Sequence, residues 1–189
     1  MNSQPSRPVK FLLFGTEWWD KFGIGIWAAQ GFHKPMHVGC AFGMDDGTCV
    51  GYHAQHEVPN MDLGGFVRFD FDEYRDSFKK WGHRQRGKRI QVMEIPFTRK
   101  QIEAKYAKCQ LMTRTVKGYA HSQILAKLAH EKKGYPMPED PDYIDCSEGM
   151  GIVLEYRAAG WDLRTDKNPN FDSMTPYEIW RGARNRVRA

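Results

Sequence analysis

An α+β fold, with an antiparallel sheet packed against helices, is predicted for this 189-residue chain by three observations. The strand-like segments come first and the helical ones after, an order that suits segregated layers better than a doubly wound parallel sheet. MHVGCAFG and TCVGYHAQ flank the turn-rich MDDG, which reads as a hairpin. Hydrophobic content of 41%, with 13% aromatic residues and no internal repeat or low-complexity linker, is enough for an ordered core, so one domain spanning 1–189 is expected.

Each element has its own local reason. VKFLLFGT, from Val9, reads as a buried strand, and the aromatic, glycine-rich stretch 17–33 as a short helix with irregular flanks. The hairpin strands run from Met36 to Gly43 and from Thr48 to Gln55, with VRFDF (67–71) as a third member. The acid-led DEYRDSFKKW is helical in pattern, and RIQVMEIPF (89–97) is a further strand. Thr98 opens a helix to Lys117 with a T-R-K-Q capping box. Its stripe of Ile102, Tyr106, Cys109, Met112 and Val116 has helical spacing, which places Cys109 in the core. Gly118 breaks this helix, and Tyr119 to Lys133 reads as the next one. A proline-rich loop over 134–144 leads to a helix that begins at Cys146 and is expected to end at Gly160. The last helix starts at TPYE, with Thr175 as N-cap, Pro176 at its first position and Glu178 at its third.

No apolar run reaches the 18 or more residues that a membrane span needs, and Phe11 to Phe14 is too short for a signal-peptide core. A cytoplasmic protein is therefore the expectation, with its four cysteines reduced. Cys40 and Cys49 flank the turn and are the one pair a hairpin could bring near each other. The formal charge of +5 is concentrated in residues 79–89 and in a basic tail over 181–189. Neither cluster interleaves aromatic and basic residues in the way that stacks bases.

The chemistry centres on DYIDCSEGMGIVLEY (142–156). Asp145 can cap the helix, with Glu148 completing a D-x-x-E box. Cys146 then stands at the first helical position, where unpaired N–H groups and the dipole favour a thiolate and can hold an oxyanion. It also lies on the stripe with Gly149, Met150 and Val153 that the helix would bury, as a packed cysteine does. Gly149 would let the helix approach the sheet closely. His37 is the candidate base. Val38, Cys40 and Phe42 face away from it, while Gly39, Ala41 and Gly43 on its own face leave room for a cleft. A hairpin centred near Asp45 sets His37 opposite His53, which could orient the imidazole; His56 and Glu57 are the alternatives for that third role. His33, His83, His121 and His130 fall in loops or on polar faces.

HVG on an early strand, YHA on the next, then GYAHSQIL, DCSEGMG and MTPYEIW stand in an order that resembles the circularly permuted NlpC-type papain-like proteins. The YiiX-like and lecithin retinol acyltransferase-like proteins belong to that branch. Cys146 follows His37 by 109 residues, the permuted order. The resemblance spans VKFLLFG to TPYEIW; the aromatic stretch 17–33 departs from it. It implies a papain-like domain and a thiol-dependent hydrolase or acyltransferase acting on a peptide, amide or ester. Cys146 would be the nucleophile, His37 the base and His53 the third polar residue, with no cofactor. Trp27 and its neighbours would wall the cleft.

Two rival readings assign other chemistry. His37, Cys40, Cys49, His53 and His56 include zinc-type ligands, although their spacing matches no standard finger. A non-catalytic protein using its basic surface for nucleic acid or another anionic partner is the other.

Overall fold

The computed structural model describes residues 4–14, 37–55, 64–74, 91–120, 126–127, 142–155, 163–164 and 171–188. The expectations for 17–33, Trp27, His56, Glu57, the basic cluster 79–89, and His33, His83, His121 and His130 lie outside these residues.

Five strands form one antiparallel sheet: β1 (Val9–Phe14), β2 (His37–Gly43), β3 (Cys49–Gln55), β4 (Gly65–Asp70) and β5 (Gln91–Ile95). Their spatial order is β4-β3-β2-β1-β5, so β2, which opens with His37, is the central strand. The α+β expectation and the hairpin both match this architecture. The turn, however, is centred on Asp46. Cys40 pairs with Tyr52 and Ala41 with Gly51, and the Met44 N–H donates to the Thr48 carbonyl at 2.9 Å. Gly47 closes the turn at φ 87°, a left-handed conformation that favours glycine, while the Asp46 carboxylate accepts from the Thr48 N–H and hydroxyl.

Helix α1 (Arg99–Thr115) has the expected capping box between Thr98 and Gln101. Its buried residues are Ile102, Lys105, Cys109 and Met112, so the stripe was read correctly for Cys109 but missed Lys105. Beyond it the chain departs from expectation. Gly118–Tyr119 is a short strand, β6, paired in parallel with β7 (Tyr143–Ile144). Tyr119 therefore does not start a helix; residues 126–127 are helical. Helix α2 (Cys146–Leu154) ends at a Glu155 cap rather than at Gly160. A 3-10 turn (Phe171–Ser173) precedes α3 (Pro176–Arg188), whose Thr175–Glu178 capping box is complete in both directions. Residues 181–188, read as a basic tail, are the body of this helix.

Alternation along the strands divides the sheet into two faces. Val38, Cys40, Phe42, Val50, Tyr52, Ala54 and Phe66 enter the main core with α1, α2 and α3. Ala41, Cys49 and Phe71 form a smaller cluster with Phe69 and Tyr74 on the opposite face. Cys40 and Cys49 thus belong to different faces and do not meet. Cys40 lies instead 3.9 Å from Cys109 of α1, sulfur to sulfur, and none of the four cysteines is in a disulfide. Among the described residues, no helix is long and apolar enough to cross a membrane.

Candidate active site

Helix α2 is where the sequence pattern and the core coincide. It packs on β2 and β3 and against α1, the 3-10 turn and α3, so it is buried on nearly every side and not only along the Cys146, Gly149, Met150, Val153 stripe. The absence of a side chain at Gly149 brings it against β4: an added Cβ would stand 3.1 Å from the Phe66 ring. Its N-terminus is capped by Asp145, whose Oδ1 accepts from the Ser147 N–H at 2.8 Å, the Ser147 hydroxyl at 2.6 Å and the Glu148 N–H at 3.1 Å.

The cap carboxylate is buried, and a buried charge needs a partner. Lys127 supplies it through an ion pair with Asp145 Oδ2, and its ammonium also donates to Ser147 Oγ and the Met174 carbonyl, both at 2.7 Å. The opposite end of α2 is held by a second buried lysine. Lys105 Nζ donates to the Val153, Leu154 and Glu155 carbonyls at 2.9, 3.0 and 3.3 Å and lies 4.3 Å from the Phe97 ring centroid. A cation at a helix C-terminus satisfies orphan carbonyls and complements the dipole. Neither lysine carries a sequence motif; each was legible only as a basic residue in a helical stretch.

Cys146 is 1% exposed. Burial first, and the Asp145 carboxylate second, push its thiol up to about 12. The Val38 backbone N–H, the Lys127 cation and the Tyr119 hydroxyl act in the other direction without overcoming burial. The expected lowering by the helix N-terminus is thus reversed: the sulfur sits under the sheet in a low-dielectric core, where ionisation costs more than the dipole returns. Tyr119 is the residue that sequence reading missed. Strand β6 brings its buried hydroxyl to both the sulfur and the backbone N–H of Cys146. Burial raises that phenol above its ordinary range, with the Cys146 and Asp145 charges adding to the effect.

His37 and His53 do meet. His37 Nε2 and His53 Nδ1 are 2.8 Å apart. They are diagonal rather than directly opposite, because the Cys40–Tyr52 register runs on to set Gly39 across from His53. A two-residue shift preserves which face a side chain occupies, and so the pairing survives the error in register. Over Gly43 the expected space is filled, since a Cβ there would stand 2.8 Å from Arg7 Cβ, and beside Ala41 a Cβ on its partner Gly51 would stand 2.2 Å from the Phe69 ring. His53 is 4% exposed, packed edge-on to Phe69 at 4.8 Å and Tyr74 at 5.9 Å, and burial pushes its imidazole down to about 4. Its other nitrogen, Nε2, lies 3.1 Å from Gln55 Oε1.

The sulfur and the imidazole pair stand at neighbouring residues of β2 but on opposite faces of the sheet: Cys146 lies with Val38 and Cys40 on the α2 face, and His53 packs with Phe69 and Tyr74 on the other. Cys146 reaches the Val38 amide, one peptide along from His37. Among the described residues no hydrogen bond joins its sulfur to the His37 ring. Nor does any group of three His, Cys, Asp or Glu side chains stand in metal-binding proximity among them.

No family model, no curated protein and no solved structure matches the chain.

Proposed function

We propose that this chain is a cysteine-dependent hydrolase or acyltransferase of papain-like type, acting on an amide, peptide or ester. The observation that carries the reading is the adjacency of the two groups at the start of β2, on either side of the strand. Cys146, first residue of a capped helix, reaches the backbone beside His37, and His37 is bonded to a second imidazole. Because burial keeps the resting sulfur protonated, His37 acts as a general base rather than as half of a standing ion pair. As the sulfur attacks the carbonyl carbon, its proton passes to His37 by way of solvent at the N-terminal end of β2, because the ring stands on the face of the sheet opposite α2. The tetrahedral oxyanion collapses to a thioester on Cys146, and the same proton goes to the departing amine or alkoxide. Water, or another acceptor, then cleaves the thioester. The Val38 N–H and the Tyr119 hydroxyl, which both reach the sulfur, and the N–H of Cys146 itself are the donors proposed to hold the oxyanion.

The test uses p-nitrophenyl acetate as an acyl donor, with intact mass and peptide mapping as the readout. Acetylation of Cys146 at neutral pH, abolished in Cys146→Ser and strongly slowed in His37→Ala, is the expected result. Acetylation that tracks hydroxide concentration and ignores His37→Ala would make Cys146 a packed thiol.

A second reading, binding to nucleic acid, is favoured by one feature of α3. Arg181, Arg184 and Arg188 follow one another at helical spacing, and the Arg184 guanidinium stacks 5.1 Å over Trp180, itself 5.7 Å from Tyr177. This is the aromatic and basic interleaving that the linear sequence did not reveal. It predicts binding of a labelled single-stranded oligonucleotide that weakens steeply with salt and falls in an Arg181→Gln, Arg184→Gln variant. Binding unaffected by both would remove it.

A further inference from the structure

A neutral imidazole has one N–H donor and one lone-pair acceptor, so a chain of hydrogen-bonded rings passes a single tautomer choice from end to end. Among the described residues the chain has three members. Gln55 presents its side-chain oxygen to His53 Nε2 at 3.1 Å, and His53 Nδ1 faces His37 Nε2 at 2.8 Å. All three residues lie on one face of the β2–β3 pair, since 53 and 55 are two apart on a strand and share the face of 37.

We infer that Gln55 is a positioning residue that sets the tautomers of both histidines and thereby selects Nδ1 of His37 as the basic nitrogen. An amide oxygen can only accept, which requires N–H at His53 Nε2. The neutral ring then has its lone pair at Nδ1, which requires N–H at His37 Nε2. That leaves the lone pair of neutral His37 on Nδ1, at the edge of the ring turned away from His53. Burial between Phe69 and Tyr74 supports the argument, because it holds His53 neutral at pH 7 and so limits it to one proton. The opposite arrangement would put N–H on Nδ1 of His37 and leave it nothing with which to accept the proton of Cys146. The inference rests on the reading of His37 as base, but its physical content lies in the rings themselves.

Two-bond proton–nitrogen NMR correlation reads the tautomers directly in uniformly 15N-labelled protein at pH 7. His53 and His37 are both expected as Nε2–H in the wild type. Gln55→Leu removes the acceptor and keeps the bulk. A net hydrogen bond of about 1 kcal/mol corresponds to roughly a fivefold preference, and that preference should disappear as the rings become tautomer mixtures. Gln55→Glu keeps an acceptor and should restore the wild-type pattern, with acetylation of Cys146 slowed in the Leu variant and recovered in the Glu variant. Wild-type rings in the Nδ1–H form, or tautomers indifferent to Gln55→Leu, would overturn the inference. If the tautomers follow Gln55 while Cys146 ignores His37→Ala, the role of Gln55 stands and the catalytic reading falls.

Discussion

Lys105 offers the most quantitative test of how α2 is held. The residue is 4% exposed and its ammonium is bonded to three carbonyls at the C-terminus of the helix, yet burial pushes it down from 10.5 to about 8. The folded value lies below the unfolded one, so between these limits the unfolded chain binds more protons. Stability contributed by this group must therefore rise with pH, and the penalty for burying the charge is fully present below pH 8. Evaluating the linkage with values of 10.5 unfolded and about 8 folded gives a gain of about 2–3 kcal/mol between pH 7 and pH 10. Urea unfolding of wild type and Lys105→Met across that range measures it, because the other titrating groups cancel in the difference. Wild type should gain that amount relative to the variant as pH rises. Parallel curves would refute the argument that Lys105 is buried as a charged group at neutral pH.

Three further outcomes follow from the same geometry. Lys127→Met leaves the Asp145 carboxylate buried without its cation and should cost about 3–5 kcal/mol in urea unfolding, whereas adding Asp145→Asn, which keeps a capping side chain, should recover much of the loss; equal and additive costs would refute the pairing. Gly151→Ala drives a methyl to 2.3 Å from the Phe171 ring and should lower the midpoint temperature by several degrees, corresponding to about 1–3 kcal/mol of overpacking. Gly149→Ala, at 3.1 Å from Phe66, should change it far less, and a reversed order in thermal unfolding would contradict the packing of α2. His53, held down at about 4, makes the unfolded chain the better proton binder from its ordinary 6.5 down to that value, so stability should fall across this interval as pH drops; His53→Gln should flatten that acid limb in pH-dependent unfolding, and an unchanged slope would place the titration elsewhere.

The chain's own pattern determined a good deal of this protein. Alternation over MHVGCAFG and TCVGYHAQ specified the hairpin and put His37 and His53 on one face, because side-chain direction along a strand depends only on parity. The caps at Thr98, Asp145 and Thr175 were equally readable, since a capping oxygen needs only the N–H groups two or three residues ahead of it. The segments from Tyr119 onward were less legible. Gly118–Tyr119 became a strand only because Tyr143–Ile144 lies beside it, and no local propensity encodes a partner 25 residues away (143 minus 118). The same holds for Lys105 and Lys127, whose burial is set by the helix ends that they meet in three dimensions. What tertiary structure alone decided is the state of the site. A cysteine at a helix start reads as an activated thiolate, but the core that closes over Cys146 removes it from water, and the loss of hydration outweighs the field of the helix.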